Sequence, residues 1–372
     1  MSTPSGRLPL AGRAPSLFGA LPGDLAGLGN DPGHLFGLAQ RPSTWRGGAP
    51  ALGAALSPRL GARFEIAPPE ILTRTEAADG ATKFALRLGD GAVVEAVHMP
   101  RAVATPRVTL CLSSQVGCAM ACTFCATGTM GLARNLEAGE IVGQALVMLD
   151  ALGPRAHGLT SIVLMGMGEP LHNPREVARA LEVLAHPRGL GVPALRMTLS
   201  TSGLAPQLSL MASWPVRPRL AVSLNATTDA ARQRMMPVAG RHELAALFDA
   251  VRALPARPGE RVTLEYVLLR GENDAAEDAA RLAALARGVP HVVNVIPFNP
   301  WPGAPHAAPT EAAARGFVGA LRALGCFATL RRTRGLDVRG ACGQLARGAV
   351  DGDRCPQVAA RDGAPPNPTI RA

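Results

Sequence analysis

Between residues 107 and 333 the sequence alternates short continuous runs of Val, Ile, Leu and Met with longer stretches whose apolar residues recur every three or four positions. The runs are VTLCLS at 108–113, SIVLMG at 161–166, RMTLSTS at 196–202, RLAVSLN at 219–225, VTLEYVLL at 262–269, HVVNVIPF at 291–298 and FATLRRT at 327–333. Between them, helices are predicted at 137–151, 174–185, 241–254, 274–287 and 310–324. Runs that are apolar throughout, rather than at every second position, belong to strands buried on both faces, which is the condition of a parallel sheet covered by helices. About six such units predict an α/β fold, a partial (β/α)6 barrel. Gly, Ser and Asn at the ends of the runs put ligands at the C-terminal rim of its strands.

Upstream, TKFALRL at 82–88 and AVVEAVHM at 92–99 flank Gly89, Asp90 and Gly91, a strong hairpin signal. Residues 1 to about 60 are rich in Gly, Pro, Ala and Leu and show weak periodicity, with short helices expected only at 22–29 and 32–40. The expected organisation is an N-terminal accessory segment and β-hairpin over 1–100, a core over 101–338 and a C-terminal segment over 339–372.

Charge changes this picture more than composition does. A net charge of +10 and a pI near 10.4 favour a polyanionic partner, nucleic acid first, because cations facing phosphates release counterions. The plainer explanation is Arg replacing Lys through coding bias; the cluster Arg331, Arg332, Arg334 and Arg339 leans towards a partner. Seven cysteines, three of them in one tight loop, argue for a reducing and hence cytoplasmic location. The proline-broken N-terminus has no continuous apolar signal region, and no apolar run reaches membrane-spanning length.

The three close cysteines, Cys118, Cys122 and Cys125 in GCAMACTFCATG, are spaced C-x3-C-x2-C. They supply three thiolates and withhold a fourth, whereas protein iron–sulfur clusters usually take four. A three-ligand loop suits a [4Fe-4S] cluster whose last iron is left to an exchangeable ligand, and it resembles the signature of the radical SAM enzymes, in which that ligand is S-adenosylmethionine (SAM). Phe124 before the third cysteine fits the same pattern. A structural zinc site would close a tetrahedron with a fourth cysteine such as Cys111, but no second CxxC or HxxxH follows.

Taken in order, CLSSQVGCAMACTFCATGTMGLARNL, VLMGMGEPLHN, LSTSG, AVSLNATTD, VTLEYVLL, IPFNPWPG and ACGQL resemble the RlmN/Cfr family of radical SAM adenosine methyltransferases, from about Glu95 to Leu345. The resemblance implies methylation of an adenine carbon in large-subunit ribosomal RNA, and in certain tRNAs for RlmN-type members. It implies two SAM molecules per turnover, an electron donor such as flavodoxin, and a monomer. Cys342 of the CGQL motif would accept a methyl group from one SAM. A radical generated from the second would activate that methyl for addition to the base, Glu95 would take the ring proton, and Cys111 would free the product by forming a disulfide with Cys342. Gly168 and Glu169 of the GMGEP turn, Ser200, Ser223, Leu224, Asn225 and Asn299 would form the SAM pocket, where the glycine admits backbone and the carboxylate receives an ammonium.

Without the resemblance, Cys111 reads as a small buried hydrophobe and Glu95 as a solvent-facing charge on an alternating strand. Cys326 and Cys355 match nothing and read as plain cysteines. Asn225 stands where many family members have His, and the N-terminal segment lacks the R-A-x-Q-I-x-W pattern of RlmN. Val116 in SQVGC favours C2 of adenine as the target over C8, the Cfr-type alternative. A zinc-stabilised RNA-binding protein without activity is the alternative of another class.

Overall fold

The computed structural model describes residues 14–28, 31–41, 57–101, 107–153 and 159–346. One ten-stranded sheet organises them: β1 (Glu70–Glu76), β2 (Thr82–Arg87), β3 (Val93–Arg101), β4 (Arg107–Cys111), β7 (Leu159–Leu164), β8 (Met197–Thr201), β9 (Arg219–Ser223), β10 (Val262–Leu268), β11 (His291–Pro297) and β12 (Ala328–Leu330), in that spatial order. The first four pair antiparallel, and from β4 to β12 every neighbour is parallel. A separate two-stranded ribbon, β5 (Gln115–Gly117) with β6 (Leu132–Asn135), frames the cysteine loop.

Helices Ala138–Leu152, Pro174–Ala185, Ala205–Leu208, Leu244–Arg252, Ala276–Leu285 and Glu311–Ala323 fill the six crossovers between the parallel strands, so the predicted six β/α units are present and β12 closes the series. The strand order is open from β1 to β12, which makes the barrel partial. The helix after β8 spans only Ala205–Leu208 and carries no extended periodicity, which is why the apolar pattern did not announce it.

The predicted hairpin is β2 and β3, turning at Gly91, whose φ of 84° is in the left-handed region; Leu88 and Ala92 close the turn with a 2.7 Å bond. Strand β1 has no counterpart among the predicted elements. Its residues EILTRTE are exposed or half-buried throughout, so no apolar face marks them. The hairpin extends the core sheet, since β3 pairs with β4 in the register Val97 to Cys111.

Residues 138–148 are buried on every side of their helix. The reason is the N-terminal segment: Leu17–Gly19 packs so closely that a Cβ on Gly19 would lie 2.5 Å from the Gly139 nitrogen. Arg179 fixes this segment by donating to the Gly19 carbonyl at 3.1 Å. Among the described residues no helix is long and apolar enough to cross a membrane. Cys355 and the last part of the expected C-terminal segment lie outside the described residues.

Candidate active site

The six crossovers leave the C-terminal ends of the parallel strands free, and two neighbouring cavities open there. One is lined by Cys118, Cys122 and Cys125 together with Gly168, Glu169, Ser200, Ser223 and Asn225. The other, of about 500 Å³, is lined by Cys111, Val97, Thr109 and the arginines Arg331, Arg332 and Arg334. They share five residues, Met165, Ile296, Asn299, Arg331 and Cys342. Cys342 therefore stands between the three-cysteine loop and Cys111, although more than 200 residues separate it in sequence from either.

The three-cysteine loop is built by close backbone approach. Cys118 N–H donates to the Gly131 carbonyl at 2.8 Å, and a Cβ on Gly117 would lie 2.0 Å from that same oxygen. Ala121, between the first two cysteines, takes the left-handed conformation at φ 52°. Thr123 N–H donates to the Met235 carbonyl at 3.0 Å and pins the loop to helix Asp229–Met235. Burial pushes Cys118 up to about 12, lifts Cys122 well above the ordinary thiol value and raises Cys125, with the neighbouring cysteines adding repulsion. Three partly or fully buried thiols that resist ionisation singly are stabilised as thiolates by a bound metal cluster. Among the described residues no three His, Cys, Asp or Glu side chains converge as one metal ion would require; a cubane makes a different demand, since it takes each thiolate on a different iron.

Beside the triad, Gly168 has φ 103°, and a Cβ there would meet Gln115 at 2.6 Å. Glu169 is buried, which raises its pKa, while two backbone N–H donors oppose the shift: Ser202 at 2.6 Å and Leu171 at 3.0 Å. A carboxylate so held in a cavity wall is prepared for an incoming cation. Ser200 and Ser223 place their hydroxyls 3.4 Å apart on adjacent strands. Asn225, at φ 56°, accepts from Val267 N–H at 2.9 Å through its side-chain oxygen. Leu224 differs from the rest of the expected pocket: its side chain is fully buried in the core and lines neither cavity, leaving only its backbone beside the site.

The Cys342 segment is docked by several bonds. Asn299 donates to the Cys342 carbonyl at 3.0 Å and accepts from Thr333 at 2.9 Å, so both ends of its amide hold protein groups. Ala126 N–H reaches the Gly343 carbonyl at 2.8 Å, Gln344 donates to the Pro300 carbonyl at 2.7 Å, and the Thr127 hydroxyl donates to the Leu345 carbonyl. Burial, together with the nearby Cys342 thiol, pushes Cys111 up to about 12, and Arg331 pulls it the other way. Arg331 belongs, in the sequence, to a basic cluster expected to face a partner. The structure turns it inward, its side chain one-quarter exposed, 3.9 Å from Glu265 and charge-coupled to both Cys342 and Cys111.

Glu95 is 1% exposed, against the solvent-facing position that strand alternation alone predicts. Its carboxylate pairs with Lys83 at 3.0 Å and accepts from Ala346 N–H at 3.0 Å. It lines neither cavity, but it lies on the same face of β3 as Val97, which does, and the end of the Cys342 segment covers it. Arg232 was not singled out from the sequence. It is fully buried, donates to the Ser202 carbonyl and is pulled down to about 10 by desolvation. Only three-dimensional proximity reveals it, because it belongs to no motif.

An open parallel sheet with a three-cysteine loop after its first core strand is the architecture of the radical SAM superfamily, and that superfamily's profile matches residues 112–283. A crystal structure of a radical SAM methyltransferase from Sphaerobacter thermophilus superposes with a TM-score of 0.81 at 37% identity, covering 89% of this chain and 99% of that one. The dual-specificity RNA methyltransferase RlmN of Anaeromyxobacter dehalogenans (strain 2CP-C) is 47% identical over 306 residues, 80% of this chain and 81% of the relative. That of Dinoroseobacter shibae is 44% identical, over 77% of this chain and 74% of the relative. The chain belongs to the RlmN family of radical SAM methyltransferases. Membership brings SAM and a [4Fe-4S] cluster as cofactors.

Proposed function

We propose that this protein methylates C2 of adenosine in large-subunit ribosomal RNA and in tRNA, carrying the methyl group on Cys342. The observation behind this reading is the position of Cys342 in the wall common to the two cavities, with Cys118, Cys122 and Cys125 on one side and Cys111 on the other. A carrier has to meet a methyl donor and an acceptor in turn. The dual specificity in the relatives' name supports two RNA classes, and the name itself favours C2 over the Cfr-type alternative.

Cys118, Cys122 and Cys125 hold the cluster, and Glu169 receives the ammonium of SAM, with Gly168, Ser200, Ser223, Asn225 and the Leu224 backbone around it. When bound, cluster and SAM supply a 5′-deoxyadenosyl radical, the reagent needed because C2 of adenine is not nucleophilic. Cys342 accepts a methyl group through its sulfur and presents it to the base in the second cavity. Arg332 and Arg334 on that cavity's wall meet the RNA backbone, and a base leaves its stack to enter. Glu95 accepts the ring proton once Ala346 N–H leaves its carboxylate, and the single electron that the adduct must also lose would return to the cluster. Cys111, as its thiolate, then attacks the Cys342 sulfur; the disulfide forms, the electron pair of the broken carbon–sulfur bond stays on the methylene carbon, and that carbon takes a proton to become the methyl group of the product. A flavodoxin-like donor supplies electrons, and the protein acts as a cytoplasmic monomer.

Mass analysis of RNA from a deletion strain, treated with the reconstituted protein and SAM, tests this. It should gain 2-methyladenosine in both 23S rRNA and tRNA. Formation of 8-methyladenosine, or no methylation by an iron-loaded protein, would overturn it.

A further inference from the structure

Arg232 is the largest fully buried side chain of the described residues, and it is a cation. One nitrogen, Nη2, donates to the Ser202 carbonyl; Nε and Nη1 have no protein partner. A buried guanidinium with two idle donors is costly, and a core Leu or Met would serve packing better. Its Nε and Nη1 reach neither Glu169 nor Asp229, the two carboxylates whose charge it feels. Glu169 takes the N–H groups of Ser202 and Leu171, and Asp229 takes that of Leu244 at 2.7 Å.

The helix bearing Arg232 holds the cysteine loop, since Thr123 N–H donates to the Met235 carbonyl at 3.0 Å, and once ionised Cys122 is the leading electrostatic partner of the guanidinium. A cubane bound by three thiolates is anionic and becomes more so on reduction, and hydrogen bonds to its sulfurs help set its potential. We propose that Arg232 directs its two unpartnered nitrogens to the Cys122 corner of the iron–sulfur cluster and eases reduction of that cluster. This rests on the reading of Cys118, Cys122 and Cys125 as cluster ligands. It assigns a charge-compensating role to a residue outside every motif of the sequence.

The test is a redox titration of the full-length protein reconstituted with iron and sulfide, without SAM, followed by EPR alongside iron content and thermal melting. Arg232→Gln should retain iron and melt near wild type, while its reduction equilibrium falls about tenfold, about 59 mV for one electron. Arg232→Lys should recover most of that loss. Equal potentials in wild type and Arg232→Gln at equal iron content would overturn this inference alone; a wild type that takes up no iron would overturn the cluster reading and this with it. A second measurement needs no neutral variant. Wild type grown on [15N]arginine should show a 15N coupling to the reduced cluster in pulsed EPR that Arg232→Lys lacks, and absence of that coupling also overturns the inference.

Discussion

Replacing Cys111 by Ala separates bond formation from release. The substitution spares methylation of Cys342 and addition to the base but removes the internal thiolate. With a pKa pushed up to about 12, Cys111 is ionised to only about one part in 10⁴ at pH 8. Intramolecular attack compensates: an effective molarity of about 10⁵ M, the low end for well-oriented groups, still leaves the equivalent of about 10 M thiolate. A few millimolar of an ordinary thiol in solution, with pKa near 8.5, offers about 1 mM thiolate. Release should therefore slow by about 10⁴-fold in Cys111→Ala, about 5 kcal/mol in the barrier. The covalent RNA adduct on Cys342 should persist for hours as a nuclease-sensitive band shift on a denaturing gel. Turnover of Cys111→Ala within tenfold of wild type, or an adduct that also forms in Cys342→Ala, would refute the division of labour between the two cysteines.

The same thiol makes release depend on pH. A raised pKa keeps Cys111 protonated below about 12, so its thiolate grows as pH rises, and adduct decay in wild type should accelerate about tenfold per unit between pH 7 and 9; decay indifferent to pH would mean another group activates it. Replacing any one of Cys118, Cys122 or Cys125 by Ala should abolish iron retention and 5′-deoxyadenosine formation, measured by iron assay and chromatography, whereas a triple variant that still cleaves SAM would contradict the cluster assignment. Gly168→Ala combines a φ of 103° with a 2.6 Å approach to Gln115, so it should destabilise the protein by at least about 2 kcal/mol, read as a fall in melting temperature of at least roughly 2–3 °C for a chain of this length. An unchanged melt would show that the turn relaxes freely.

The parallel core was legible because its strands are apolar throughout: β9 has three consecutive buried residues and β10 buries Leu264, Glu265 and Tyr266 in succession. The cysteine loop was legible because the spacing of three ligands is local. β1 left no signal, since an exposed edge strand needs no apolar face. Glu95 was misplaced by strand alternation because its polar position is buried against Lys83 and residue 346, contacts that a local pattern does not encode. Arg331 and Arg232 look like surface cations in the sequence. The chain returns one to the junction of two cavities and seals the other beneath the cysteine loop.

If the methyl group passes through Cys342 by hydrogen abstraction, the fate of its hydrogens is fixed, and isotopic labelling of the carrier reads it. Protein whose Cys342 has been loaded from SAM bearing a CD3 methyl group would be allowed one turnover with RNA, and the products weighed. Loss of one deuterium from the carrier to 5′-deoxyadenosine, followed by one hydrogen gained at release, predicts 2-methyladenosine with a CHD2 group and singly deuterated 5′-deoxyadenosine. A fully retained CD3 group on the base, with no deuterium in 5′-deoxyadenosine, would mean direct polar transfer, with no radical formed on the Cys342 methyl group.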